Sequence, residues 1–112
     1  MKDLGFTVIY QEEFFEMTKN LTIGDHTVFK YMVKVMKFGN LVQTSTVEIS
    51  KACDMARPSV SRSLHNLYDA DIAVKLKRGE YMINPVIVRK GENAHGEITA
   101  RYNAARKKAI AI

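Results

Sequence analysis

Two short helices joined by a tight turn are predicted by the stretch Ser45-Thr46-Val47-Glu48-Ile49-Ser50-Lys51-Ala52-Cys53-Asp54-Met55-Ala56-Arg57-Pro58-Ser59-Val60-Ser61-Arg62-Ser63-Leu64-His65-Asn66-Leu67-Tyr68. Ser45 is the expected N-cap of the first helix, in a reciprocal capping box with Glu48, and that helix should end near Cys53. Asp54 occupies the turn because aspartate tolerates the left-handed conformation, and Pro58 suits the start of the second helix. The inward stripe of the second helix is predicted to be Val60, Leu64, Leu67 and Tyr68. The pattern is typical of a helix-turn-helix, here placed at residues 45–69.

A β-hairpin is predicted directly after the second helix, over residues 72–84. Apolar and polar side chains alternate from Ile72 to Arg78, as expected for a strand with two different faces. One face should hold Ile72, Val74 and Leu76, and the other Ala73, Lys75 and Lys77. Gly79-Glu80 supplies the turn, and Tyr81–Asn84 returns. The sequence therefore predicts an α+β, mainly helical fold: a winged helix-turn-helix whose wing is the hairpin.

The segment before the helix-turn-helix predicts a strand and a helix. Residues 6–10 are rich in β-branched and aromatic side chains and favour a short N-terminal strand. Residues 12–19 fit either an extension of that strand or a short helix. Asp25 is the expected N-cap of the next helix, which Gly39-Asn40 should end. Residues 41–44 are expected to be extended.

The segment after the hairpin predicts an edge strand and a last helix. Val86–Val88 fits the strand, residues 90–93 a linker, and residues 97–108 a C-terminal helix. Basic residues near the end of this helix complement its macrodipole: Arg106, Lys107 and Lys108. A stripe at helical spacing is a candidate seam for a homodimer: Ile98, Tyr102 and Ala105. By length, residues 1–112 are expected to form a single domain.

The net charge of +5 is unevenly distributed along the chain. Residues 1–56 carry six lysines against seven acidic residues, a net charge of −1, whereas residues 57–112 carry eleven lysines or arginines against five acidic residues, a net charge of +6. A basic half that begins at the second helix is what neutralisation of DNA phosphates requires. A solvated basic surface is the alternative interpretation.

The polar positions of the helix-turn-helix suit contact with DNA, because the second helix of this motif lies in the major groove. Arg57 and Arg62 carry forked donors that match guanine or phosphate, and the short Ser59 and Ser61 allow close approach. The N-terminus of the first helix offers amides and hydroxyls to phosphate, and the wing adds positive charge. The predicted DNA-binding residues are Thr44, Ser45, Thr46, Arg57, Ser59, Ser61, Arg62, His65, Lys75, Lys77 and Arg78.

Several of these residues also have structural explanations. Ser45 is first a helix cap and only second a phosphate ligand. Arg62 can pair with Asp69 instead of contacting DNA. Lys75 and Lys77 also fit the polar face of a strand.

Other chemistry finds little support in the sequence, and we expect no enzyme activity, metal site or cofactor. His26, His65 and His95 are far apart, and no carboxylate or thiol stands at metal-ligand spacing. Cys53, the single cysteine, excludes a disulfide framework, and its apolar position favours a buried structural thiol over a nucleophile. No apolar run approaches the ~20 residues that span a bilayer, so we expect no membrane partner and a cytoplasmic location.

With these motifs placed, the chain resembles the RepL family, the winged-helix replication proteins of Firmicute plasmids. The resemblance covers about residues 6–91 and rests on Tyr10-Gln11-Glu12, Ser59-Val60-Ser61-Arg62-Ser63-Leu64, Gly79-Glu80-Tyr81-Met82-Ile83-Asn84-Pro85 and Lys90-Gly91. The Tyr-Met-Ile-Asn-Pro segment is the more discriminating; Ser-Val-Ser-Arg also occurs in MarR-like regulators. Asp54 and Ala56 depart from the commoner Gly and Ser of the turn. The resemblance implies sequence-specific binding to plasmid DNA during replication initiation or copy control.

Three functions remain open at this point. A replication protein and a winged-helix transcriptional repressor both need the same helix in the same groove of double-stranded DNA. A winged-helix module that binds only proteins would instead place apolar groups on the exposed face of the second helix, where Arg57, Ser59, Arg62 and His65 stand. Host replication factors are the further partners that the first function implies.

Overall fold

The computed structural model describes residues 7–91 and 96–111. Within them the elements in chain order are β1 (Val8–Ile9), α1 (Gln11–Thr18), α2 (Ile23–Val35), a single 3-10 turn (Phe38–Asn40), β2 (Leu41–Gln43), α3 (Thr46–Cys53), α4 (Arg57–Asp69), β3 (Ala73–Lys77), β4 (Glu80–Ile83), β5 (Val88–Arg89) and α5 (Glu97–Ala111). Helices α3 and α4 followed by the β3–β4 hairpin form a winged helix-turn-helix. The predicted α+β, mainly helical fold class is confirmed.

The N-terminal strand is shorter than predicted. Of residues 6–10, Phe6 lies outside the described residues, and β1 pairs antiparallel with β5 through only two positions. Residues 12–19, which fitted a strand or a helix, lie almost entirely in α1. The predicted edge strand exists but is β5, two residues further along than Val86, because Pro85 to Ile87 form a turn.

Thr22, not Asp25, is the N-cap of α2. The Thr22 backbone is extended, and its hydroxyl accepts from the Asp25 amide at 3.1 Å, while the Asp25 carboxylate accepts from the Thr22 amide at 3.1 Å. The cap prediction was wrong because either residue can cap a helix, and the reciprocal box needs threonine first and the acid third. At its other end α2 stops at Val35, before Gly39-Asn40, because Met36 is already extended.

The Asp25 carboxylate also joins α2 to α4. It is 2% exposed and accepts from the Asn66 side-chain amide at 3.2 Å. Burial alone would raise the pKa of Asp25, but hydrogen bonds from Ser63, the Thr22 backbone and Asn66 outweigh burial and hold the pKa below its ordinary value of 3.8. The ionised carboxylate is therefore the stabilising form.

The helix-turn-helix itself forms where predicted. The Ser45 hydroxyl accepts from the Glu48 amide at 3.1 Å. No return bond from Glu48 is found among the described contacts, so only half of the predicted capping box forms, and Glu48 stays exposed. Asp54 adopts the left-handed conformation at φ 55° and ψ 50° and closes α3. α4 begins at Arg57, with Pro58 as its second residue.

The inward stripe of α4 differs from the prediction at three positions. Val60 and Leu67 are buried as predicted, but Leu64 and Tyr68 are only half-buried. Ser63 is buried in addition, because its hydroxyl bonds the Asp25 carboxylate.

The wing belongs to a three-stranded antiparallel sheet in the order β2–β4–β3. Its two faces pack against different neighbours. One face joins the main core, which contains Val28, Phe29, Met32, Val42, Ile49, Val60, Leu67, Ile72, Ala73, Tyr81 and Ile83 among others. The other face joins a second cluster, which contains Val74, Met82, Ile98 and Tyr102 with Leu76 and Ala105 against it. The prediction that Ile72 shares a face with Val74 and Leu76 was wrong, because Ile72 precedes the strand and packs into the main core instead.

α5 covers the second face of this sheet. The predicted helix over residues 97–108 exists and continues to Ala111. Its stripe of Ile98, Tyr102 and Ala105 packs against the sheet of the same chain. The stripe is therefore not free for pairing with a second copy, and the proposed dimer seam at these residues was wrong. Glu92 and Asn93 of the predicted linker lie outside the described residues.

A polar cluster fastens α5 to the end of α4. The Tyr102 hydroxyl donates to the Asp71 carboxylate at 2.9 Å, and the Arg106 guanidinium lies 3.2 Å from that carboxylate. Arg106 also lies over the Tyr68 ring, 4.0 Å from its centroid. Arg106 thus points inward instead of only complementing the helix dipole as predicted.

We expect the substitution Asp25→Ala to lower the free energy of unfolding by about 1–3 kcal/mol at neutral pH, because it leaves the Thr22 amide, the buried Ser63 hydroxyl and the half-buried Asn66 amide without their acceptor. A carboxyl group whose pKa is lower in the folded than in the unfolded protein contributes its full stabilisation of the folded state when the pH is above the unfolded-state pKa. That contribution is lost as the pH falls through the folded-state pKa. The difference between wild type and variant should therefore narrow below about pH 4, measured by urea unfolding across the pH range.

Glu48→Ala is the matched control, since Glu48 occupies the same third position of α3 but makes no return bond. It should cost only a few tenths of a kcal/mol at either pH. A loss for Asp25→Ala that stays constant down to about pH 2 would contradict the role given to the carboxylate.

We expect Tyr102→Phe to cost about 1 kcal/mol, because the ring stays in the core while the bond to Asp71 is lost. Both burial and the neighbouring Asp71 raise the pKa of Tyr102, so the hydroxyl is protonated at neutral pH and able to donate. Tyr31→Phe, which removes a longer 3.4 Å contact with Thr44, is the control and should cost less in the same thermal unfolding experiment. Equal losses would show that the Asp71 bond contributes nothing specific.

Candidate nucleic-acid interface

The exposed face of α4 carries most of the side chains predicted for its contact with DNA. Exposed positions are Arg57, Ser61, Arg62 and His65, and buried positions on the opposite side are Val60, Ser63 and Leu67. Ser59 is half-buried and lines a shallow cleft together with Arg62 and Gly24. The helix therefore presents a polar, basic surface over its first two turns.

The two arginines of this surface have no ionic partner in the part of the chain that the structure describes. Within the described residues, no carboxylate lies within 4.0 Å of Arg57 or Arg62, so the alternative pairing of Arg62 with Asp69 does not form. Asp69 lies instead 3.3 Å from the His65 imidazole. Neither guanidinium group donates to another residue of the described chain, so their donors are available there.

The N-terminus of α3 adjoins the tip of the wing. The Thr44 amide donates to the Gly79 carbonyl at 3.1 Å, which ties the turn of the hairpin to the start of α3. Gly79 has φ +79°, the conformation that lets the chain reverse there. Ser45 and Thr46 remain partly exposed beside it. This brings the phosphate-binding candidates of α3 and the wing onto one surface.

Thr44 stands apart from the other candidates. Its side chain is 4% exposed and its hydroxyl lies 3.4 Å from that of Tyr31, so it is occupied within the protein. We therefore leave Thr44 out of the contact set. The sequence suggested it only because threonine preceding a helix often binds phosphate.

The wing places positive charge beside α4. Lys75, Lys77 and Arg78 are all exposed. The Lys77 ammonium lies 4.0 Å from the Glu80 carboxylate, a distance at which an exposed pair contributes little. Both interpretations of Lys75 and Lys77, as the polar face of a strand and as DNA contacts, are compatible with this exposure.

A groove of about 310 Å³ separates α4 from the sheet. It is lined by Thr46, Ser61, Leu64, His65, Tyr68, Ala73, Val74, Lys75 and Tyr81. The sequence did not indicate that Leu64, Tyr68 or Tyr81 would line a groove, because their spacing fits a buried stripe or a strand. Burial raises the pKa of Tyr81, so its hydroxyl is neutral at physiological pH.

Two contacts fix the orientation of α4. Asn66 donates to Asp25 of α2, so it serves the protein's own structure and not the DNA face. At the end of the helix, Tyr68 packs under Arg106 of α5. Helix α4 is therefore held on its buried side by α2 and at its C-terminal end by α5.

The rest of the described chain offers little other chemistry. No group of three potential metal ligands occurs among the described residues. Burial raises the pKa of Cys53, whose thiol lies 3.8 Å from the Thr27 carbonyl. None of the described helices has both the length and the apolar character needed to cross a membrane.

Comparisons with known proteins add one finding. Neither the curated proteins nor the solved structures give a match. A family model described as Firmicute plasmid replication protein (RepL) matches residues 1–109. This match extends beyond the predicted resemblance over residues 6–91 and includes most of α5. Because it covers nearly the whole chain, the protein belongs to the RepL family of Firmicute plasmid replication proteins.

Proposed function

We propose that this protein binds double-stranded DNA in a sequence-specific manner and acts in plasmid replication initiation or copy control. In this proposal residues 1–112 act as one winged-helix domain, and α4 lies in the major groove. The family supplies the link to replication. The surface chemistry of α4 supplies the argument for DNA.

The observation that carries the proposal is the pair of unpaired arginines on α4. Arg57 and Arg62 are both exposed and have no carboxylate partner among the described residues. A guanidinium fork matches guanine O6 and N7 bidentately, which makes arginine the commonest reader of guanine. Ser61 lies between them and is short, so the helix backbone can approach base edges closely.

Phosphate contacts come from the elements on either side of α4. The N-terminus of α3 offers free amides together with Ser45 and Thr46. The wing adds Lys75, Lys77 and Arg78. These groups would fix the position of the protein on the duplex, and the α4 side chains would read the sequence.

The alternatives receive less support. A transcriptional repressor would use the same surface, but the family match favours replication. A module that binds only proteins requires an apolar exposed face on α4, and that face is polar and basic. We propose a binding function without catalysis, exerted in the cytoplasm where plasmid DNA is found.

We expect Arg57→Ala and Arg62→Ala each to weaken binding to the preferred site by about 1–3 kcal/mol and to relax preference at one base pair. The preferred site comes from selection of bound duplexes from a random pool at fixed salt. Arg57→Lys keeps the positive charge but removes the forked donor pair of the guanidinium. It should therefore reduce discrimination between base pairs nearly as much as Arg57→Ala does.

Two control variants distinguish sequence-specific base contacts from nonspecific electrostatic binding. Lys77→Ala removes a proposed phosphate contact and should weaken binding equally on all sequences, with a shallower salt dependence. Lys30→Ala removes an exposed charge of α2 and should change little. If Arg57→Ala also weakens all sequences equally, α4 contacts only phosphate and the proposed sequence reading is wrong.

We also propose that two copies bind one site and that host replication factors join them. Winged-helix dimers match DNA sites with two-fold symmetry, but the stripe on α5 is covered, so pairing requires another surface. Light scattering of the complex with the selected duplex should give a mass of two chains per duplex. A single chain per duplex at tens of micromolar would contradict the dimer.

A further inference from the structure

An aromatic side chain is exposed to solvent in the turn before β2. Phe38 is 50% exposed and lies in the 3-10 turn. The turn is tight because the Lys37 amide donates to the Leu41 carbonyl at 2.7 Å and Gly39 adopts φ +80°. Gly91 packs directly against the ring, since a Cβ placed on it would lie 3.3 Å from Phe38 Cδ1. Phe38 is therefore exposed from a turn whose backbone is fixed by a hydrogen bond and by the conformation of Gly39.

A buried asparagine makes this turn rigid. Asn40 is 0% exposed and donates to the carbonyls of Ile83 at 2.8 Å and Val88 at 2.7 Å. Its side-chain oxygen accepts from the Lys90 amide at 2.9 Å. Three bonds made by one side chain therefore fix the turn to β4 and to the residues of and just after β5.

Three cations lie on or next to the turn that carries the exposed ring. The Lys90 ammonium lies 5.7 Å from the centroid of Phe38 and donates to the Met36 carbonyl at 3.2 Å, and the Arg101 guanidinium lies next to Gly39, 3.9 Å from where its Cβ would stand. Lys37 directly precedes the ring and bonds only the neutral Gln43. In the part of the chain that the structure describes, no carboxylate lies within 4.0 Å of these three cations. We call Lys37, Phe38, Lys90 and Arg101 the Phe38 patch.

The Phe38 patch is separate from the α4 surface. Arg101 belongs to α5, whose Ile98 and Tyr102 pack on one face of the three-stranded sheet, whereas Val60 and Leu67 of α4 pack with the other face. No residue of the patch lines the groove beside α4. A ligand on the patch would leave the proposed duplex site open.

We propose that the Phe38 patch binds single-stranded DNA, with a base stacked on Phe38 and phosphates held by Lys37, Lys90 and Arg101. An exposed aromatic ring beside cations that have no carboxylate partner among the described residues is the combination that binds single strands without sequence preference, because every base has a π face and every nucleotide a phosphate. A duplex would supply the phosphates but no base face, since its bases are stacked inside. This inference rests on the proposed function in one respect: a protein that acts in DNA replication encounters single strands where the duplex is opened.

The direct test uses a tryptophan at the stacking position. The chain contains no tryptophan, so Phe38→Trp introduces a single indole fluorophore at the patch. Addition of a thymidine oligonucleotide of about 12 residues should quench its emission, while inorganic polyphosphate, which has charge but no bases, should not. Tryptophan in place of Phe15, which is 62% exposed on α1 beside acidic residues, should show no quenching. No quenching at Phe38→Trp, or equal quenching by polyphosphate, would overturn the proposal.

Affinity for the same labelled oligonucleotide, measured by fluorescence anisotropy, tests the role of the ring. Phe38→Ala should weaken binding about tenfold, the order of one lost base–aromatic stack, and Phe38→Tyr should restore it. Phe15→Ala is the matched control and should leave the affinity unchanged. Arg101→Ala should also weaken binding and reduce its salt dependence. Equal affinities for wild type, Phe38→Ala and Phe15→Ala would refute the assignment of the ring as a stacking platform.

Duplex binding measured in parallel distinguishes the two proposals. Phe38→Ala should keep wild-type affinity for the selected duplex, whereas Arg57→Ala should weaken duplex binding as predicted above but keep wild-type affinity for the single strand. Loss of both affinities in Phe38→Ala would indicate one shared site and overturn the inference. Absence of any preferred duplex for the wild-type protein would instead contradict only the proposed function.

Discussion

The ionised carboxylate of Asp25 is the constraint on which the placement of α4 and its exposed face depends. It completes the capping box of α2 and at the same time accepts from Ser63 and Asn66 of α4. One buried charge therefore sets both where α2 begins and how α4 is rotated about its own axis. A rotation of α4 by one residue, about 100°, would turn Arg62 away from solvent and bring other side chains outward. Desolvation of the carboxylate is offset because each of its oxygens has donors.

Local signals in the sequence were enough to predict the helix-turn-helix and the hairpin. Ser45, Asp54 and Pro58 each act within a few residues of their own position, and they fix the ends of α3 and α4 independently of the rest of the fold. Strand alternation located the wing for the same reason. The packing partners of these elements were harder to predict. Ile72 was placed on the wrong face because the strand begins only at Ala73, and nothing in its neighbours marks that boundary.

The residues of the candidate site likewise fall into those that local sequence could predict and those that depend on tertiary packing. Its charged members were predictable, since an exposed arginine early in a recognition helix needs no tertiary information. Thr44 was not, because its burial depends on Tyr31 of a distant helix. The inward direction of Arg106 likewise depends on Asp71, which the chain brings close only after the sheet is complete. The Phe38 patch joins residues from the turn before β2, the end of β5 and α5, so no sequence spacing could reveal it.

The β1–β5 pairing has a consequence for the emerging polypeptide. β1 is among the first described segments to leave the ribosome, yet its partner is synthesised about 80 residues later, and the cost of closing such a long loop is met only when both ends are present. The backbone groups of β2 likewise have no strand to pair with until β4 has been synthesised. Helices α2, α3 and α4 are in contact with one another and are complete before any of the wing is made. We therefore expect co-translational folding to begin with the three-helix unit, while two short unpaired strands stay exposed until the segment through Arg89 has been released.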